Sequence, residues 1–225
     1  MTKHAYTELE QAAIYKVIAE RRDMRHFLPT PVEAATLQKI LHAAHQAPSV
    51  GLMQPWRFIR ISDTDLRKKI HKLVDDERIA TAQAIGEFEN SANGFNTKSA
   101  EFLRLKVEGV LDCGEVLVAT LCSKREQHIF GRRTLPEMDI ASVSCAIQNM
   151  WLAARAEGLG MGWVSIFDPI KLAELLNIPQ DAKPIAVLCL GHVSSFYKEP
   201  MLVEEGWAKE KPLSEMLMEN SWKIG

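Results

Sequence analysis

Two periods of apolar residues run along this chain, and the switches between them mark out its elements. Ile14, Val17 and Ile18 follow Thr7-Glu8-Leu9-Glu10 at helical spacing. The Thr7 and Glu10 pair has the spacing of a capping box, so a first helix is predicted to run to about Arg22. Thr30-Pro31-Val32-Glu33 repeats the start signal with proline at the first helical position. Leu37, Ile40 and Leu41 give that second helix its apolar stripe, and it is expected to stop near Ala47-Pro48. The period then becomes two: Trp56-Arg57-Phe58-Ile59-Arg60-Ile61 alternates as a strand does. A long polar helix is expected from Asp65 to Glu89, an Asn-, Ser- and Gly-rich loop from Asn90 to Thr97, and a further helix from Lys98 to Gly109.

The second half is more apolar. Val116 to Leu121 is β-branched and apolar, the pattern of a buried strand. Asp139 to Glu157 is apolar nearly all round and long, which predicts a helix central to the core or to a subunit interface. Gly162 to Ile166 and Ile185 to Leu190 read as two more buried strands, with a short helix, Pro169 to Leu176, between them. After Pro200 the chain is charged, with Trp207 and Trp222 set among Glu and Lys. That stretch is too short for its own core and reads as an arm laid over another surface, such as a second subunit.

Composition narrows the class. The chain has 225 residues, of which 47% are hydrophobic and 25% charged, enough to bury a core. A net charge of −2 gives no reason to expect nucleic acid or an anionic membrane as partner. No stretch has the length and apolarity of a membrane span, and Met1 to Glu10 lacks an apolar signal core. Cys113, Cys122, Cys145 and Cys189 are widely spaced in apolar runs, which predicts buried thiols in a reducing cytosol. No metal site is expected: there is no C-x-x-C pair, and His42 and His45, three apart on one helix, have no visible partners. One α/β domain with extensions, residues 1–225, fits the order of elements.

Three clusters carry candidate chemistry. Arg21-Arg22-Asp23-Met24-Arg25 lies where the first helix ends. Guanidinium forks match phosphate oxygens, and Asp23 among them is expected to stay ionised. Alone, the cluster reads first as a solvated basic helix end. Ala47-Pro48-Ser49-Val50-Gly51-Leu52-Met53-Gln54-Pro55-Trp56 is a loop fixed by two prolines and a glycine, in which Ser49 and Gln54 offer short hydrogen bonds. It suits the edge of a planar heterocycle, or it is a structural turn beside a core tryptophan. Glu157-Gly158-Leu159-Gly160-Met161-Gly162-Trp163-Val164-Ser165 is not a dinucleotide fingerprint: its glycines alternate, follow a helix and lead into a strand. They are expected to let backbone pass close to a ligand or a packed element, with Ser165 projecting from the start of the strand.

Together these clusters resemble the nitroreductase superfamily, in the order R-R-x-x-R, then P-S-x-x-x-Q-P-W-x-F, then a glycine-rich helix-to-strand turn. Asp23 stands where most of that superfamily has serine. With Leu105-Lys106-Val107-Glu108-Gly109, Met138-Asp139, Gln148-Asn149-Met150-Trp151-Leu152-Ala153-Ala154-Arg155 and Gly162-Trp163-Val164-Ser165-Ile166-Phe167, it makes the chain similar to the 5,6-dimethylbenzimidazole synthase branch. The stretches Ser123 to Phe130 and Asp112 to Glu115 depart from that pattern.

The resemblance implies a nitroreductase-like α+β fold binding flavin mononucleotide (FMN), with a mixed, mainly antiparallel sheet flanked by helices. It implies a homodimer that exchanges C-terminal arms, about residues 200–225. The implied reaction is oxygen-dependent fragmentation of reduced FMN to 5,6-dimethylbenzimidazole and erythrose 4-phosphate, with electrons from a separate flavin reductase. In it Arg21, Arg22 and Arg25, with Met24 between them, hold the phosphate and ribityl end, and Ser49 and Gln54 touch the ring edge. Gly162 allows close backbone approach, Ser165 bonds near the ring's reactive nitrogen, and Asp23 moves the proton for carbon–carbon cleavage. Residues 90–109 are the candidate lid. Two alternatives remain: a flavin-retaining NAD(P)H nitro- or quinone reductase on the same fold, and a non-catalytic flavin-binding protein.

Overall fold

In a computed structural model of the chain, the described residues are 4–92 and 97–222. They form a four-stranded sheet of order β1-β2-β4-β3, built from β1 (Trp56–Ile61), β2 (Glu115–Leu121), β3 (Gly160–Val164) and β4 (Lys183–Gly191). All three strand pairings are antiparallel, and one isolated parallel bridge joins Asp23 to Met161 at the outer edge of β3. The sheet is therefore mixed but mainly antiparallel.

Pleating sorts the apolar residues between two cores. Leu117, Ala119 and Leu121 of β2, with Ala186, Leu188 and Leu190 of β4, face α2 (Ala34–His45) and α5 (Met138–Ala156). Val116 and Val118 of β2, with Val187 and Cys189 of β4, face α3 (Thr64–Ala92) and α6 (Pro169–Leu175). Side chains alternate across a strand, so the central strands must be apolar on both faces, which is why β2 reads as a continuous run. Helix α5 buries Val143, Ala146, Ile147, Met150 and Ala154 along one side of the sheet, while Met138, Ile140 and Cys145 of the same helix are exposed, so its apolar circumference is only partly covered by this chain.

Several boundaries differ from expectation, each for a physical reason. Helix α1 (Glu8–Glu20) has the predicted capping box, with Thr7 and Glu10 bonded reciprocally, but it stops before the arginines. Its C-cap Arg21 is extended because the next residues leave to join the edge of β3. The stripe of α1 does not enter this chain's core: no residue of α1 is buried, and Ile14 and Ile18 are exposed. Helix α2 starts at Ala34 rather than Pro31, because Thr30 and Val32 pack extended against Gly114 and Val32 enters the core. Strand β3 starts and ends two residues earlier than expected, so Ser165 follows the strand instead of opening it. The expected loop at 90–97 is helical at 90–92 and again at 97, where α4 (Thr97–Arg104) begins; residues 93–96 lie outside the described residues. Helix α4 ends at Arg104, short of Gly109. Of the four cysteines, none disulfide-bonded, Cys145 is exposed on α5, against the expectation of burial.

Candidate functional site

The segment after α1 is built into the edge of β3. The Met24 N–H donates to the Met161 carbonyl at 3.0 Å, and Met24 is fully buried. Gly160 and Gly162 make this possible: a Cβ on Gly162 would run into the Met24 carbonyl oxygen and lie 2.6 Å from Arg25 Nη1. The alternating glycines thus admit a neighbouring backbone, one of the two roles expected of them.

Side chains complete the edge. The Trp163 N–H donates to Asp23 Oδ1 at 3.0 Å. Arg25 Nη2 donates to Asp23 Oδ2 at 2.6 Å and to the Trp163 carbonyl at 2.9 Å. The Tyr197 hydroxyl accepts the Arg25 backbone N–H at 3.3 Å and lies 2.6 Å from His26 Nδ1. Arg22 donates through Nη1 to the Ala19 and Arg21 carbonyls and through Nη2 to the Lys198 carbonyl. Beneath them, Trp151 Nε1 donates to the carbonyls of Arg22 (3.1 Å) and Met161 (2.9 Å). The Arg21 guanidinium stacks 4.5 Å from the Trp151 ring.

These residues form one wall of a cavity of about 730 Å³, a size within the range of about 300–1,000 Å³ common for small-molecule sites. Arg21, Arg22, Asp23, Arg25 and Ser165 all line it. Met24 lies buried behind that wall and Gly162 behind Arg25. Ser49 and Gln54 do not line it. They occupy a separate strained loop, in which Gly51, Leu52 and Gln54 all have positive φ. Ser49 Oγ accepts the Gln54 N–H and Ser142 Oγ accepts the Val50 N–H, each at 3.0 Å, so the loop is as rigid as its prolines suggest.

Two electrostatic features distinguish the cavity. Arg22 Nε, Arg25 Nε and Arg25 Nη1 are buried without a hydrogen-bond partner. An unmet buried donor costs about 1–3 kcal/mol, and more when charged, so these atoms favour an anion beside them. The Asp23 carboxyl is held above the ordinary carboxylate range: loss of hydration raises it, and the attraction of Arg25, the Trp163 N–H and Arg21 only partly offsets this. The side chain is nevertheless 41% exposed, so it meets the cavity directly.

Sequence reasoning missed several wall residues. Phe102, Leu105 and Val107 line the cavity from within the candidate lid, and Pro200, Met201, Leu202, Trp207 and Glu210 line it from the first part of the arm. The arm thus lies partly over its own chain. The only early signal was Trp207 itself, a large aromatic in a charged stretch. The other weak candidates took structural roles. His45 Nδ1 accepts the Trp56 indole N–H at 3.3 Å, and Arg132 is buried against Asp139. Among the described residues no group of three or more His, Cys, Asp or Glu could hold a metal, and no helix is long and apolar enough to cross a membrane.

The nitroreductase family model matches residues 18–192, from the last turn of α1 to the end of β4. The chain belongs to the nitroreductase family. It is 37% identical over 196 residues to the 5,6-dimethylbenzimidazole synthase of Rhodospirillum rubrum, covering 85% of this chain and 87% of that one. It is 32% identical over 208 residues to the 5,6-dimethylbenzimidazole synthase of Rhodobacter capsulatus, covering 92% and 96%. Within the nitroreductase family it is therefore an enzyme of the 5,6-dimethylbenzimidazole synthase kind. The fold also matches nitroreductase A of Vibrio parahaemolyticus, with a TM-score of 0.67 at 20% identity over 94% of this chain and 77% of that one. An iodotyrosine deiodinase bound to FMN and 3-iodo-L-tyrosine matches with a TM-score of 0.65 at 18% identity, over 93% and 100%.

Proposed function

We propose that the chain fragments reduced FMN with molecular oxygen to 5,6-dimethylbenzimidazole and erythrose 4-phosphate, supplying the lower ligand of cobalamin. The observation that carries this reading is a carboxyl, Asp23, on a cavity wall beside guanidinium nitrogens that lack partners. The residues present fit the ligand. Arg22 and Arg25 carry buried donors without partners beside the cavity, and Arg21, over the Trp151 ring, adds a third positive charge for the phosphate and ribityl end. Bound reduced FMN supplies both the electrons taken by oxygen and the carbon skeleton that is broken.

The chain's own residues then have distinct tasks. Asp23 takes a proton from a ribityl hydroxyl as the carbon–carbon bond breaks; a carboxyl held above its usual range is nearer the operating pH, where proton transfer is efficient. Ser165, exposed on the cavity wall after β3, hydrogen-bonds near the ring's reactive nitrogen. Ser49 and Gln54 reach the ring edge from a second copy of the chain, since they do not line their own cavity. A homodimer also gives a partner to the exposed Leu9, Ile14 and Tyr15 of α1 and to Leu213, Leu217 and Trp222 of the outer arm, which exchanges between copies while the first part of the arm stays over its own cavity. Residues 90–109 act as a lid; of these, Phe102, Leu105 and Val107 already stand on the cavity wall. A separate reductase supplies the reduced flavin, and the free thiols suit a reducing cytoplasm.

The test is direct. FMN is reduced chemically, mixed with the purified protein and air, and searched for dimethylbenzimidazole by mass spectrometry. Product in step with flavin loss is expected. Flavin that stays intact while NADPH is oxidised with a quinone would instead identify a reductase, and intact flavin with no turnover a binding protein.

A further inference from the structure

The cavity has a wall that no part of the preceding chemistry uses. The chain from Lys198 to Glu210, beyond the end of β4, lines the cavity through Pro200, Met201, Leu202, Trp207 and Glu210. Its root is tied to the arginine cluster, since Arg22 Nη2 donates to the Lys198 carbonyl at 2.7 Å. Its short helix, α7 (Met201–Glu204), is closed on itself: Glu204 Oε1 accepts the N–H groups of Lys198 (2.9 Å) and Glu199 (3.0 Å). Gly206, at φ +69°, then turns the chain back, and the N–H groups of Trp207 and Ala208 both donate to the Leu202 carbonyl. The turn directs the half-buried Trp207 ring to Phe102, with ring centroids 6.0 Å apart, inside the range of aromatic pairs. Phe102 is buried on α4, which is itself tied to α3 by Ser99 Oγ donating to the Ala82 carbonyl and Arg78 Nη1 to the Leu103 carbonyl.

We infer that Trp207 is a positioning residue: with Phe102 it latches the arm to α4 at the cavity wall, holds the ligand in, and keeps water off the reacting end. The geometry forms a closed loop, from Arg22 through the arm to Trp207, then through Phe102 and α4 back to the body of the fold. Both rings also line the cavity, so the latch is part of its wall rather than a distant support. The inference rests on the flavin reading for the identity of what is retained.

The experiment compares the wild type with Trp207→Ala, Trp207→Phe and Phe102→Leu. The first readout is the dissociation rate of oxidised FMN, followed by flavin fluorescence after dilution. The second is the share of consumed oxygen that appears as hydrogen peroxide. Trp207→Ala and Phe102→Leu should each release FMN roughly two- to tenfold faster, the size of one aromatic pair, and Trp207→Phe should restore most of the retention. Peroxide should rise in the same order. Using both ends of the contact guards against one variant folding poorly. FMN release and peroxide unchanged in the folded variants would overturn the latch. A wild type that retains FMN through Trp207 but makes no dimethylbenzimidazole would overturn the proposed reaction and leave the latch standing. A wild type with no affinity for FMN would overturn both.

Discussion

The molecule holds two clusters of arginine around a single aspartate, and they differ in what is left over. Around Asp139, Arg125 Nε lies at 2.9 Å and Arg132 Nη2 at 3.2 Å, and the remaining donors of Arg132 reach the Arg125, His128 and Pro136 carbonyls. The Asp139 and Arg132 side chains are 7% and 5% exposed, and neither arginine has an unmet buried nitrogen among the described residues. Around Asp23, three guanidinium nitrogens are unmet and the carboxyl opens on a cavity. The first cluster is a finished structural joint that fixes the loop before α5. The second leaves three buried donors unmet, which suits the anion proposed above. The state of the hydrogen-bond inventory, not the count of charges, separates a fold determinant from a binding site.

The sharpest way to break this comparison is Asp23→Asn. Loss of general acid–base assistance should lower dimethylbenzimidazole formation about 10²- to 10⁴-fold while FMN still binds, as checked by product yield and fluorescence titration. Near-normal yield would remove Asp23 from the chemistry. At the other cluster, Asp139→Ala strands two buried cations and should cost about 3–5 kcal/mol in urea unfolding, with turnover per folded molecule retained. A stability change no larger than that of a surface variant would mean that the joint is ornamental.

Smaller effects sharpen the contrast. Arg21→Ala removes one charged contact worth about 1.5–3 kcal/mol and should weaken FMN binding roughly ten- to hundredfold. The loss should shrink with salt, whereas the Asp139 effect should be nearly salt-independent because that pair is buried. The smallest signal is in pH. Asp23 is raised by burial, so as a base it becomes active only as pH rises above the ordinary carboxylate range. The acid limb of the rate profile should therefore lie above that of an unperturbed aspartate and vanish in Asp23→Asn. The same shift bears on stability: a carboxyl raised in the folded state favours folding below its unfolded pKa, and that contribution is lost as pH rises through the folded value.

Strong local patterns were legible in the sequence. The run Val116 to Leu121 announced a central strand, because burial on both sides leaves no polar face to confuse the period, whereas α5, apolar nearly all round in sequence, buries only one face in this chain. The Thr7 capping box was legible for the same local reason. What depended on distant neighbours was not. The stripe of α1 has helical spacing, yet among the described residues only Val17 of it is half-buried, and Ile14 and Ile18 stay exposed. Ser165 was put at the wrong end of β3 because the glycines that open the strand are there to admit Met24, a residue well over 100 positions away. The arginines around Asp23 were legible as opposing charge, but the dehydration that raises its carboxyl comes from the surrounding fold and leaves no local trace. The Trp207 wall showed only as a tryptophan in a charged stretch, and its partner stayed hidden because a contact between residues 102 and 207 leaves no periodic trace.

The way the Asp23 segment sits on β3 also bears on solubility. An outermost strand normally presents free backbone groups that can recruit another chain and seed aggregation. Here the Met161 carbonyl is taken by Met24 and Trp151, and both polar groups of Trp163 are capped by Asp23 and Arg25. Asp23, Met24 and Arg25 therefore form a sheath over an otherwise sticky rim, and variants that dislodge them should be prone to clumping.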